Sequence, residues 1–168
     1  MTTAPCADSS ADYPFLRHAL AALAYRMRKA LRGAGAAFAT VDAGQGVRRP
    51  HDLVWHMEEV IAYAVTFFDP VERPFIPEKF PTFTRQVASF HARLEELSRL
   101  LEAGTPMYRG LTPTRLLQGP IADAMTHAGQ LALLRRLSGA SVPSDNFIFA
   151  DISPDHLGPD QPPPVQPG

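Results

Sequence analysis

Residues 82–102 read TFTRQVASFHARLEELSRLLE, and the spacing of their apolar members decides the fold. Phe83, Val87, Phe90, Leu94, Leu97 and Leu101 recur at alternating steps of four and three. On a helix of about 3.6 residues per turn those steps return to one side. The stretch therefore predicts a helix with an unbroken apolar seam. Such a seam is buried only against other helices.

Three neighbours of the same kind are present. Leu16, Leu20, Leu23, Met27 and Leu31 mark a helix over about residues 13–32, with Asp12 placed to cap it and Pro14 in its first turn. A second helix is predicted from Pro50 to about Phe68. Asp52 suits its first turn, and Leu53, His56, Val60, Tyr63, Ala64 and Phe67 share a face. A fourth helical region opens at Thr112-Pro113, is interrupted at Gly119-Pro120, and runs on from Pro120 to Ser138 before Gly139 stops it. Between the second and third helices, Pro70, Pro74 and Pro77 make a stiff connection. The 17 prolines avoid the middles of the periodic segments, and Pro14, Pro50 and Pro113 stand at helix starts, where a missing N–H is tolerated. The prediction is an all-α chain: an up-and-down type four-helix bundle over residues 12–142. Residues 1–11 form a disordered tail. Residues 143–168 form an extended, proline-rich tail, whose Asn146, Phe147, Ile148 and Phe149 dock on the bundle.

Composition narrows the function. With 16 basic and 17 acidic side chains the formal charge is −1, so neither a nucleic-acid surface nor a polybasic membrane patch is expected. Cys6 is the single cysteine, which excludes an internal disulfide and fits a reducing compartment. It reads as an unimportant free thiol in the N-terminal tail. No apolar run reaches the roughly 20 residues that a membrane span needs. Met1 to Ala11 lacks a basic region followed by an apolar one, so no signal peptide is expected. The expected location is cytoplasmic.

One constellation carries chemistry. Asp123 and His127 are four apart and project from the same side of the last helix, and His56 lies on the apolar face of the second. Two imidazoles and one carboxylate from two helices can converge on a divalent transition metal: zinc, nickel, iron(II) or manganese(II). Three protein ligands leave a position for water or substrate. The other reading is a core hydrogen bond between Asp123 and His127, with His56 an ordinary packed histidine. Glu59, one turn after His56, reads as a solvated or pairing carboxylate, with a fourth ligand or an acceptor for His56 as the alternative. Gln130 reads equally as a hydrogen-bonding residue or a substrate contact. Tyr63 is expected in the core, with a side chain pointing into the site from two turns beyond His56 as the alternative; His91 is expected as structural, and Arg135-Arg136 at the surface. The sequence identifies no catalytic base.

The wider stretch IADAMTHAGQLALLRRLSG, residues 121–139, resembles the last bundle helix of the DinB/YfiT-like superfamily of helical metalloproteins. Leu53-Val54-Trp55-His56-Met57 is similar to that family's helix carrying its first histidine. Asn146-Phe147, Ala150-Asp151-Ile152 and Gly158-Pro159-Asp160-Gln161 are similar to the tail of one subgroup. The resemblance spans about residues 13–162, and its His-x-Gly-Gln core, here His127-Ala128-Gly129-Gln130, is moderately specific. It implies a four-helix bundle, often a homodimer, holding a divalent metal through one histidine on the second helix and His-x-x-x-His on the last. His56 and His127 match that pattern, whereas Asp123 stands where the family has histidine. The shorter, charged ligand implies a metal nearer the last helix or bound through water, a harder site that favours iron or manganese, or loss of binding.

Two readings of function follow. The first, implied by the resemblance, is a metal-dependent enzyme acting on a small-molecule substrate, such as a transferase using a low-molecular-weight thiol, or a hydrolase. The second is a non-catalytic, dimeric interaction or stress-response module without a functional metal. An open position beside a pocket favours the first, and a closed site the second.

Overall fold

The computed structural model describes residues 10–140 and 142–165. Cys6 and the predicted tail up to residue 9 lie outside the described residues. Ser10–Asp12 form a 3-10 turn leading straight into the first helix. Asp12 is part of that turn, and its side chain makes no capping hydrogen bond.

The described chain is all-helical, with no strand among the described residues. The helices are α1 (Tyr13–Leu31), α2 (Pro50–Thr66), α3 (Phe83–Glu102), α4 (Pro113–Leu116) and α5 (Ala122–Leu137). A short 3-10 helix, Ala36–Thr40, lies in the glycine-rich loop after α1. Thr82 and Thr112 cap α3 and α4, each hydroxyl accepting from the backbone N–H three residues on. The break at Gly119-Pro120 takes the form of a π-turn, Leu117–Ile121, joining α4 to α5. Pro120 has no N–H to close the ordinary helical ladder, and the widened turn absorbs the defect.

Each long helix packs on two others: α1 on α3 and α5, and α2 on α3 and α5. Contacts between side chains give their directions. His51 and Phe83, at the starts of α2 and α3, stack edge to face, and further along Glu58 meets Gln86 and Ser89. These two helices therefore run the same way, where a strict up-and-down order predicts opposite ways. The Tyr13 hydroxyl at the start of α1 donates to the Thr105 carbonyl just beyond α3, so α1 opposes α3. Near their ends, Arg135 donates to the Arg32 carbonyl, which sets α1 and α5 side by side in the same sense. The reason lies in residues 67–82. A 17-residue helix spans about 25 Å, and this extended, proline-stiffened connection runs back along it instead of closing a hairpin. The Trp55 indole N–H donates to the Pro77 carbonyl and pins the return.

The α1 stripe is buried throughout, and Phe90, Leu94, Leu97 and Leu101 of the α3 seam are buried, with Phe83 and Val87 packed at its edge. On α2 the sequence places the core face one step off. The buried residues are Leu53, Val54, Met57, Glu58, Ile61, Ala62 and Ala64, while His56 and Val60 are half-buried and Tyr63 is exposed. Glu58 tolerates burial because Gln86 and Ser89 each donate to its carboxylate at 2.7 Å. Desolvation raises its pKa above the ordinary carboxylate value, against the lowering by those bonds and by Arg93.

The segment after α5 lies against α1 and α3. Tyr25 donates to Asp145, Arg32 to the carbonyls of Gln161 and Pro162, and Phe147 meets the Tyr25 ring edge-on. Ile148 and Phe149, expected to dock, are 86% and 72% exposed. Arg135, expected at the surface, is buried, its guanidinium over the Phe38 ring. No helix is long and apolar enough to cross a membrane.

Candidate metal centre

Tyr63 and Gln118 line one cleft, while Leu53 and Leu134 line another toward the other end of the same helix pair, so α2 and α5 run in opposite directions. This crossing brings His56, from the middle of α2, to the first turns of α5. His56, Asp123 and His127 offer ligand atoms that all lie within 4.8 Å of one another, so the group could hold a metal ion. The two imidazole rings stand edge to face with centroids 5.1 Å apart.

Each ligand has a distinct environment. His127 is buried, at 8% exposure. Its Nδ1 lies 2.8 Å from Gln130 Oε1, a contact made when Nδ1 carries the proton and donates. That leaves Nε2 with its lone pair facing Asp123, as a metal ligand requires. Gln130 thus takes the hydrogen-bonding role of the two the sequence offered. His56 is half-buried, with Nδ1 facing Glu59 Oε2 at 3.4 Å, so Glu59 is a pairing carboxylate beside the group. Asp123 is half-exposed, its side chain at 47% exposure.

His127 Nε2 and Asp123 Oδ1 are 3.4 Å apart. This exceeds the ~2.7–3.2 Å of an N–H···O hydrogen bond. It equals the ~3.4 Å edge of a tetrahedron of ligands placed ~2.1 Å from zinc. The nitrogen–nitrogen–oxygen donor set therefore fits a divalent ion, with His56 the ligand that must close the remaining gap.

Beside the group lies an open cleft of about 670 Å³. Its walls include Val60, Tyr63, Gln118, Gly119, Pro120 and Thr126. Tyr63 is 60% exposed and lines this cleft, the alternative to the core place expected for it. Gln118, Gly119 and Thr126 were not singled out from the sequence. The Gly119-Pro120 break was their one signal, because π-turns recur beside functional sites. His91, at the far side of α3, is buried, and its Nδ1–H donates to the Leu157 carbonyl at 2.7 Å.

Gln130→Ala is expected to weaken divalent-metal affinity about 10–100-fold, the usual cost of losing the partner that orients a ligating imidazole. Competition with a chromophoric chelator measures it, and an affinity equal to the parent protein's would contradict the role given to Gln130.

No family model, no curated protein and no solved structure matches this chain.

Proposed function

We propose that this chain is a divalent-metal-dependent enzyme built on a four-helix bundle of the DinB/YfiT-like type, acting on a small molecule at the His56–Asp123–His127 centre. One observation carries the reading. His56 and Asp123 line an open cleft and His127 lies against them, the three offering donor atoms within 4.8 Å of one another, with the Nδ1 atoms of His127 and His56 turned to Gln130 and Glu59. An Asp123–His127 pair alone accounts less well for the same residues, because it leaves the convergence of His56 on them without a role.

A divalent ion held there would lower the pKa of a bound thiol or water and polarise an electrophile. The protein's own residues supply the rest. His127, fixed by Gln130, sets the position of the centre, and the exposed Asp123 leaves one side accessible to substrate. Tyr63 and Gln118 line the cleft and offer hydroxyl and amide groups for orientation, while Val60 and Pro120 give it apolar walls. Glu59 lines the same cleft, where its carboxylate can accept a proton from a bound substrate.

The test is a turnover assay on protein replete in turn with zinc, nickel, iron(II) and manganese(II). Transfer of a low-molecular-weight thiol to a small electrophile is assayed beside hydrolysis of small esters and amides. Metal-dependent turnover that disappears in Asp123→Ala is expected. Turnover absent with every metal, or equal in the variant, would overturn the proposal.

A further inference from the structure

A second recess lies on the opposite side of α5 from His127. Met125, Ala128, Gly129 and Ala132 of α5 face Ala30 of α1 there, in a cleft of about 240 Å³. The small side chains on both helices leave its floor low. Around it stand three cations: Arg26 and Lys29, one turn apart on α1, and Arg136 near the end of α5. Val142 and Phe147 of the C-terminal segment close one side.

Among the described residues, none of the three makes an ion pair. Arg136 reaches only the Ala132 carbonyl, at 3.3 Å. Arg26 and Lys29 both sit by the Phe147 ring, 3.8 and 5.1 Å from its centroid. The ring steadies both without neutralising either. Burial lowers the Lys29 pKa, Asp145 opposes the shift, and Arg136 and Arg26 add to it. Asp145 is already engaged elsewhere, accepting from the Tyr25 hydroxyl and the Val165 N–H, each at 3.0 Å. Three like charges around one recess repel one another, and an anion seated among them would relieve that repulsion.

We propose that this recess binds a small, multiply charged phosphate-bearing anion, a phosphate monoester or a pyrophosphate, held by Arg26, Lys29 and Arg136. Three cations match a ligand of two or three negative charges. The volume suits a phosphoryl group with few further atoms, being below the roughly 300–1,000 Å³ of sites for larger ligands. A nucleic-acid backbone is a poor fit, because it needs an extended basic track and the chain's formal charge is −1. The site does not depend on the metal centre.

Isothermal titration of the full chain with sodium pyrophosphate, and separately with orthophosphate, at low ionic strength tests this. The parent protein is compared with Lys29→Gln, Arg136→Gln, Arg73→Gln and His127→Ala, and each variant's thermal melt is recorded. Arg73 is an exposed arginine paired with Asp69 and serves as the control. Saturable pyrophosphate binding at one site is expected, weakened about tenfold or more in Lys29→Gln and in Arg136→Gln and unchanged in the other two. Absence of saturable binding would overturn the proposal, as would equal affinity in all proteins. Binding lost in His127→Ala but kept in Lys29→Gln would assign the anion to the metal centre and overturn it too. Should one lysine or arginine variant melt early, the other decides.

Discussion

His127→Ala is expected to abolish stoichiometric metal binding. His127 is the buried member of the group and the one whose orientation a neighbour fixes, through Gln130. Without it the group is reduced to a half-buried imidazole on α2 and a half-exposed carboxylate on α5. Two such ligands, on separate helices, do not hold a divalent ion against water and buffer. The loss in affinity should exceed the ~100-fold upper end expected for removing an outer partner such as Gln130. Titration of zinc and manganese(II) against a chromophoric chelator measures it. An affinity equal to the parent protein's would place the metal elsewhere.

The second large effect is on stability against pH and comes from His91. Burial, with Arg28 adding to it, pushes the His91 pKa down from 6.5 to about 4, against the raising effect of its bond to the Leu157 carbonyl. Its Nε2 is buried without a hydrogen-bond partner, so a proton added there has no acceptor. In the unfolded chain His91 titrates near its ordinary value. The unfolded state therefore binds the extra proton first, and stability falls as pH drops. The contribution is fully present above about pH 6.5 and is lost down to about pH 4, amounting to about 3 kcal/mol. Urea unfolding at pH 7 and pH 4 should show this loss in the parent protein. His91→Gln, whose amide can still donate to Leu157, should lose about 3 kcal/mol less over the same interval. Identical pH dependence in the two proteins would contradict the assignment.

The elements most legible in the sequence were those whose signal is local. The seam of α3 could be read because its steps of four and three never slip, and α1 for the same reason. Pro120 announced the break before α5, though not its form as a π-turn. The face of α2 was misjudged because Tyr63 and Val60 look like core residues, while the residue that takes a core place is Glu58. Its partners, Gln86 and Ser89, lie 28 and 31 residues away, and nothing near Glu58 in sequence reveals them. The directions of the helices were also hidden. They depend on where residues 67–82 go, and proline spacing shows stiffness but not path.

At the site, His56, Asp123 and His127 were found by spacing and by the family resemblance, and the fold brings them together. The exposure of Asp123 was not legible, because four-residue spacing fixes a side of the helix but not the depth at which its neighbour covers it. Arg135 misled for a related reason: the end of a helix reads as surface unless a later or earlier loop, here the one carrying Phe38, folds over it.

The central claim is a divalent ion at His56, Asp123 and His127. Elemental mass spectrometry on the full chain, purified without an affinity tag and then incubated with zinc, nickel, iron(II) or manganese(II) and desalted, measures it directly. About one equivalent of a transition metal per chain, displaced by chelator, is the predicted result. No retained metal from any of these incubations would contradict the account.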